Sequence, residues 1–183
     1  MNQSKTLHPR QAWFLWAVAL AVTLMFAFVI LPRLDPNPPS LIGQTAPEFA
    51  MDLLHGGDPG DRVRLADLKG RVVVLDFWAS WCKPCADQAA IMEELARAFA
   101  DRGVYVLGVA TSDTPEDAQS FIERHQPSYA MAFDRENAVA QAYRVTVLPT
   151  VVVIDPTGKV VEAHARMVGK RELFEIVEAA RAP

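Results

Sequence analysis

Two cysteines occur in the 183-residue chain, three positions apart, in Trp81-Cys82-Lys83-Pro84-Cys85. A thiolate attacks sulfur, and a second thiol one helical turn away can resolve the mixed disulfide that forms. The apolar run Val72-Val73-Val74-Leu75-Asp76-Phe77-Trp78 precedes the pair, and a helix-like segment, Ala86 to Ala100, follows it. A strand turning tightly into a helix sets Cys82 at the helix N-terminus, where free N–H groups and the macrodipole favour an anion. The spacing predicts a dithiol/disulfide redox site, with Cys82 at the exposed end and Cys85 one turn in and more buried. Lys83 adds a positive charge beside the pair. Pro84 suits a first helical turn, where its missing N–H costs nothing.

A carboxylate inside the Val72–Trp78 run is costly to bury, and desolvation raises its pKa. Asp76 is therefore a candidate proton carrier, placed to take the proton of Cys85 when that thiol must attack. The plainer alternative is an acid at a strand end that reaches solvent or caps a backbone N–H. Other chemistries fit less well. Two cysteines are too few for a four-thiolate zinc site, and His55, His125 and His164 are scattered, so no resident metal is expected. Haem attachment would need His after Cys85, where Ala86 stands, and a Thr-x-x-Cys peroxidase site is absent. The competing reading from a different class is a metallochaperone binding copper through Cys82 and Cys85. From residues alone Pro149 reads as a trans proline entering a strand, Trp78 and Trp81 as core and rim aromatics, and Thr111–Asp113 and Arg166–Lys170 as ordinary loops.

These residues need a domain to hold them, and about half the chain is apolar, enough for a sizeable core. Net charge is −4 with no basic cluster, which gives nucleic-acid binding no support. Ala12 to Leu31 carries no charge, and Thr23 is its only polar residue. About 20 such residues span a hydrocarbon core of ~30 Å. The run ends Phe28-Val29-Ile30-Leu31-Pro32-Arg33, without the small-x-small site of a cleaved signal peptide, so an uncleaved anchor is expected. Lys5 and Arg10 before it keep the N-terminus cytoplasmic by the positive-inside rule. The resulting division is a cytoplasmic stub at 1–10, a transmembrane anchor at 11–31, a stiff linker at 32–40 with four prolines, and a domain at 41–183. Beyond residue 35 the chain holds 15 Lys and Arg against 21 Asp and Glu, so anionic lipid heads are not an expected ligand.

Within the domain, alternating patterns predict a weak hairpin around Glu48–Leu54 and Arg62–Leu65, a buried strand at Arg71–Phe77 and another at Val104–Ala110. Ile91, Leu95, Ala98 and Phe99 would share one face of a helix over 83–100. Thr114-Pro115-Glu116-Asp117 starts a helix that Pro127 ends. A short strand at Tyr129–Phe133 and a helix capped by Asp134 and running to about Tyr143 come next. A hairpin over Val151–Ile154 and Lys159–Ala165 and an amphipathic helix around Leu173–Ala180 complete an α/β fold with a mixed sheet and helices on both faces.

The chain resembles the membrane-anchored thioredoxin-like proteins of the TlpA/ResA family. The resemblance rests on Leu41-Ile42-Gly43-Gln44-Thr45-Ala46-Pro47-Glu48-Phe49, Leu65-Ala66-Asp67-Leu68-Lys69-Gly70, Phe77 through Cys85, Tyr143 through Thr150, and Ile154-Asp155-Pro156-Thr157-Gly158. It implies a thioredoxin fold with an N-terminal hairpin and a central strand–helix insertion between Tyr105 and Tyr143, preceded by one transmembrane helix. It implies that Cys82 attacks, that Cys85 resolves, and that a cis bond at Leu148-Pro149 faces the disulfide. Trp81, Leu148 and Pro149 would then meet the substrate, and Lys83 and Pro84 would tune the cysteines. The implied activity is reduction of disulfides in extracytoplasmic partner proteins, such as apocytochrome c or copper-site assembly proteins, with a membrane thiol-disulfide carrier as electron donor and no cofactor. Four positions depart from the family pattern. Gln88 and Ala90 stand where many relatives carry Glu and Pro, Asp76 where many carry Asn, and Val147 where many carry Gly.

Overall fold

A computed structural model describes residues 9–26, 41–58 and 60–181. The chain divides into two units, 1–40 and 41–183. In the first, helix α1 covers Pro9–Met25. No helix among the described residues is long and apolar enough to cross a membrane. The remainder of the expected span, 27–31, the linker 32–40 and most of the stub lie outside the described residues.

The second unit is built on a seven-stranded sheet in the order β2-β1-β5-β4-β3-β6-β7. Its strands are β1 (Ala50–His55), β2 (Arg62–Arg64), β3 (Val72–Trp78), β4 (Val104–Ala110), β5 (Ala130–Phe133), β6 (Thr150–Ile154) and β7 (Val160–His164). β3 lies between β4, which is parallel to it, and β6, which is antiparallel. All seven of its residues are buried, which is why the run reads as continuously apolar rather than alternating. The hairpin β1–β2 joins the sheet through β5, and β7 closes the other edge.

Helices cover both faces. α2 (Lys83–Phe99), α3 (Pro115–His125) and α5 (Lys170–Arg181) pack with Val72, Val74, Trp78, Val151 and Val153. The opposite face carries the segment from Leu41 to Phe49, a 3₁₀ turn at Leu65–Leu68, and the short helix α4 (Ala138–Ala142), packed with Val73, Leu75 and Phe77. Together with the inserted α3 and β5, this is the thioredoxin-like architecture that the resemblance implied.

Two local expectations change. α2 buries Cys85, Gln88, Met92, Leu95 and Phe99, whereas Ala98 is exposed and Ile91 half-buried. The inward stripe therefore advances in alternating steps of three and four, and it includes a glutamine that apolar patterning passes over. The helix after Asp134 does not run unbroken to Tyr143. A 3₁₀ turn at Arg135–Asn137, with Glu136 and Asn137 in the left-handed region, separates Asp134 from α4. Asp134 still caps it, accepting from the N–H groups of Val139 at 2.9 Å and Ala140 at 2.8 Å.

Leu95 lies at the centre of the α2–sheet contact and is fully buried. Leu95→Ala should cost about 2–5 kcal/mol through lost burial and an unfilled cavity. Urea unfolding should show this as a lower midpoint with an unchanged slope.

Candidate active site

β3 ends at Trp78, and the chain turns through Ala79-Ser80-Trp81 into α2. The N–H of Cys82 donates to the carbonyl of Ala79 (3.1 Å), and the N–H of Cys85 to that of Cys82 (3.1 Å). Cys82 is the N-cap of α2, and Pro84 lies in its first turn. The two cysteines are joined as a disulfide with Cα atoms 5.3 Å apart. Cys85 is fully buried and Cys82 only 6% exposed, so the attacking position is far less open than the spacing suggested. Cys82 belongs to the hydrophobic cluster on the α2 face of the sheet, which forms only through tertiary contacts. The positive end of α2 still falls on Cys82 and favours its thiolate once the bond is reduced. Lys83 and Pro84 are exposed beside it.

The loop after β4, Thr111–Asp113, is tied to the cysteine turn, and it is not an ordinary loop. Asp113 accepts from the N–H of Ser80 (2.5 Å) and from its hydroxyl (3.0 Å). The carbonyl of Ser112 accepts from the indole N–H of Trp81 (2.9 Å), which anchors a side chain otherwise 65% exposed. Asn137 ties the loop to the opposite helix layer, its side-chain oxygen accepting from the Thr111 hydroxyl (2.9 Å) and the Ser112 N–H (2.6 Å). Ser112 and Asn137 both hold positive φ, a conformation that small polar residues tolerate better than branched ones.

Beside Trp81 lies an open groove of about 490 Å³, lined among others by Ser112, Asn137, Gln141, Val147 and Leu148. No charged side chain lines it. The Leu148-Pro149 bond is cis, and the buried Pro149 leads into β6, the neighbour of β3. Trp81 and Leu148 thus come together on one groove. The structure replaces the trans reading of Pro149 taken from residues alone with the cis bond that the resemblance implied.

Asp76 is fully buried on β3, paired across the sheet with Gly108 and Val151. Neither carboxylate oxygen has a hydrogen-bond partner among the described residues. The alternative in which it reaches solvent or caps a backbone N–H is thereby overturned. Burial alone pushes its pKa to about 8. Gln88 is also fully buried, and its side-chain oxygen accepts from the N–H of Val168 (2.7 Å). The segment Arg166–Lys170 is therefore no free loop either: Arg166 pairs with Glu172, and Lys170 with Glu94. Among the described residues no group of three or more His, Cys, Asp or Glu side chains could hold a metal.

Residues 42–163 match the AhpC/TSA family. The chain belongs to this family. It is 33% identical over 138 residues to thiol-disulfide oxidoreductase ResA of Geobacillus thermodenitrificans, covering 75% of this chain and 77% of the relative. It is 35% identical over 121 residues to the ResA of Bacillus cereus, covering 66% and 68%. The thioredoxin domain of a thiol-disulfide oxidoreductase from Bacteroides vulgatus has a similar structure, with a TM-score of 0.66 at 29% identity over 75% of this chain and 96% of that one. A secreted disulfide oxidoreductase of Mycobacterium tuberculosis gives 0.63 at 25% identity, over 72% and 95%. The protein is accordingly a thioredoxin-like thiol:disulfide oxidoreductase with a Cys-x-x-Cys pair.

Sequence reasoning missed Asp113, Asn137 and the burial of Gln88 in this oxidoreductase. Asp113 reads as the end of an ordinary loop, and Asn137 falls within the helix expected after Asp134. Only the parallel pairings of β3 with β4 and of β4 with β5 bring their segments to the cysteine turn.

The raised pKa of Asp76 has a stability consequence. The carboxyl ionises near 3.8 in the unfolded chain and near 8 in the fold. Its contribution to stability is fully present below the lower value and is lost as pH rises through the upper one. Near pH 7 the loss is on the order of 4 kcal/mol. Asp76→Asn should therefore stabilise the oxidised protein against urea near pH 7 and change it little near pH 4. Equal effects at both pH values would contradict the buried, ionisable state.

Proposed function

We propose that the protein is a membrane-anchored oxidoreductase that reduces disulfides in extracytoplasmic partner proteins, with residues 11–31 as the anchor and the domain from residue 41 facing outward. The observation that carries the disulfide chemistry is the Cys82–Cys85 bond at the positive end of α2, beside an uncharged groove. The uncharged run to Leu31, preceded by Lys5 and Arg10, supports the anchor. So do the large apolar side chains that α1 leaves exposed, among them Leu15, Trp16, Leu20 and Val22. The secreted relative from Mycobacterium tuberculosis supports the location.

The reaction proceeds in balanced steps. The Cys82 thiolate attacks one sulfur of the substrate disulfide, that bond breaks, and the other substrate sulfur leaves as a thiolate and takes a proton. Asp76, as carboxylate, takes the proton of Cys85. The Cys85 thiolate then attacks the Cys82 sulfur of the mixed disulfide, and the second substrate sulfur leaves and is protonated. The substrate has gained two electrons and two protons, and the Cys82–Cys85 bond has formed. A dithiol carrier in the membrane restores the reduced pair. Trp81 and Leu148 bound the groove on which an extended substrate segment lies, and its lack of charge suits partners of varied sequence, such as apocytochrome c or a copper-site assembly protein. Lys83 and Pro84, flanking the pair, adjust the thiols.

Cys85→Ser leaves the attacking thiol without its resolving partner. Expressed as the full chain in its native membrane, this variant should accumulate partners bound to Cys82 through a bond that reductant cleaves, and Cys82→Ser should trap none. A Cys85→Ser chain that traps nothing, while the wild-type chain binds Cu(I) tightly and turns over no disulfide, would replace this reading with the metallochaperone one.

A further inference from the structure

Asp76 belongs to a wider set of buried polar atoms without protein partners. Trp78 Nε1 and the Tyr129 hydroxyl share that condition. The strand register places them on one face of the sheet. Asp76 pairs with Gly108, and Gly108 with Met131, so the three form one row across β3, β4 and β5, strands about 4.8 Å apart. Trp78 and Tyr129 stand two residues from Asp76 and Met131 respectively, and so project from the same face, the one packed against α2. Gly108 contributes no side chain to the middle of the row. A Cβ there would sit 2.1 Å from Met131 Sδ and 3.0 Å from Trp78 Nε1, so neighbouring side chains occupy the space over the glycine. A buried hydroxyl and a buried carboxyl on one face of the sheet, both unpartnered, are costly unless each serves the other or a shared water.

A surface cleft of about 350 Å³ opens toward the same place. Ala86, Ala89 and Ala90 of α2 keep it open, Glu93 and His125 stand along it, and Met131 reaches it from the sheet. Tyr129 stands two residues before Met131, and the charges of both Asp76 and Glu93 add to the burial that raises its pKa. The phenol therefore keeps its proton at neutral pH and remains a donor.

We infer that Tyr129 is the positioning residue of Asp76, its hydroxyl donating to the carboxylate across one water. The inference rests on the reading of Asp76 as the acceptor of the Cys85 proton. Donation stabilises the charged acid and so opposes part of the desolvation that raises its pKa. It also holds the carboxylate on the α2 side, where Cys85 lies. The proton that Asp76 takes passes to water at the cleft when the acid ionises again. The charged or titratable groups along the cleft are Glu93 and Glu94 of α2 and His125 of α3, with Arg97 paired to Glu93, and Glu93 is the one that acts on Tyr129 besides Asp76. In the row of Asp76 itself β4 presents Gly108 and β6 presents Val151, neither of which titrates.

The test follows the resolving step alone. The reduced full-length chain is treated with an aromatic disulfide whose nitrothiobenzoate groups are coloured on release. The first group leaves when Cys82 attacks, and the second when Cys85 resolves the mixed disulfide. That group departs as a stable thiolate, so the pH dependence of its release reports deprotonation of Cys85. Tyr129→Phe should move the inflection up by about one pH unit, which slows the second release roughly tenfold below the inflection. Asp76→Asn should remove this inflection and leave only the rise with pH of an unassisted Cys85 thiol, and adding Tyr129→Phe to it should change nothing more. An unmoved inflection in Tyr129→Phe, with Asp76→Asn still effective, would overturn the role of Tyr129 and leave Asp76 in place. An unchanged profile in Asp76→Asn would overturn both. A second measurement needs no substitution at Tyr129. In the oxidised chain labelled with fluorotyrosine, the Tyr129 fluorine signal should titrate with an inflection near 8, the value of Asp76, and cease to do so in Asp76→Asn. A Tyr129 signal that does not follow Asp76 would refute the contact even if Tyr129→Phe failed to fold.

Discussion

The burial of β3 on both faces is the constraint from which the rest follows. A strand hydrogen-bonded to β4 on one side and β6 on the other has no edge, and each of its seven residues is removed from water. Its C-terminal end must then break into a turn, and the helix that follows lies back over the strand. This places the Cys82–Cys85 pair at the end of the sheet and at the positive end of α2. It also places Asp76, two residues before the strand ends, where water cannot reach it. The acid and the thiols are thus neighbours through a single element and its exit, and a slip of one residue in β3 would turn Asp76 to the opposite face.

The two sides of the cysteine turn are supported differently. Toward solvent, polar bonds hold it: Asp113 gathers the Ser80 amide and hydroxyl, Ser112 fixes the Trp81 indole, and Asn137 braces Ser112 from the other helix layer. Toward the core, polar atoms lack protein partners: both oxygens of Asp76, Trp78 Nε1, Gln88 Nε2 and the Tyr129 hydroxyl. Satisfied groups define the geometry that a partner protein meets. Unsatisfied groups raise the energy of the oxidised fold and respond most to a change in proton or redox state. A neutral Gln88 in place of an acid leaves Asp76 as the buried titratable group in this layer nearest the chemistry.

Much of this was legible in the residues. The continuously apolar run, the Cys-x-x-Cys spacing and the proline in the first helical turn defined a strand, a turn and a helix, because each is a local preference of the backbone. The lone acid in an apolar run announced a raised pKa, because desolvation depends on burial alone and not on a particular partner. Less legible were the side of α2 that turns inward, where Gln88 is buried in a stripe of otherwise apolar side chains, and the left-handed pair Glu136 and Asn137 that shortens α4. Both depend on how far each helix must rotate or break to meet its neighbours.

The sequence by itself determined the chemistry available: one thiol pair, one acid in a buried strand, and the elements carrying them. These follow from spacing and hydrophobic period, which act over a few residues. Only the tertiary structure decided which distant residues attend that chemistry. Asp113 and Asn137 reach the cysteine turn, Val168 meets Gln88, and Tyr129 shares a layer with Asp76 through strand pairings and packing across 25 to 80 residues of sequence. The register of β3, β4 and β5 aligns Asp76, Gly108 and Met131. Register is set by the burial of whole faces, which no single segment encodes.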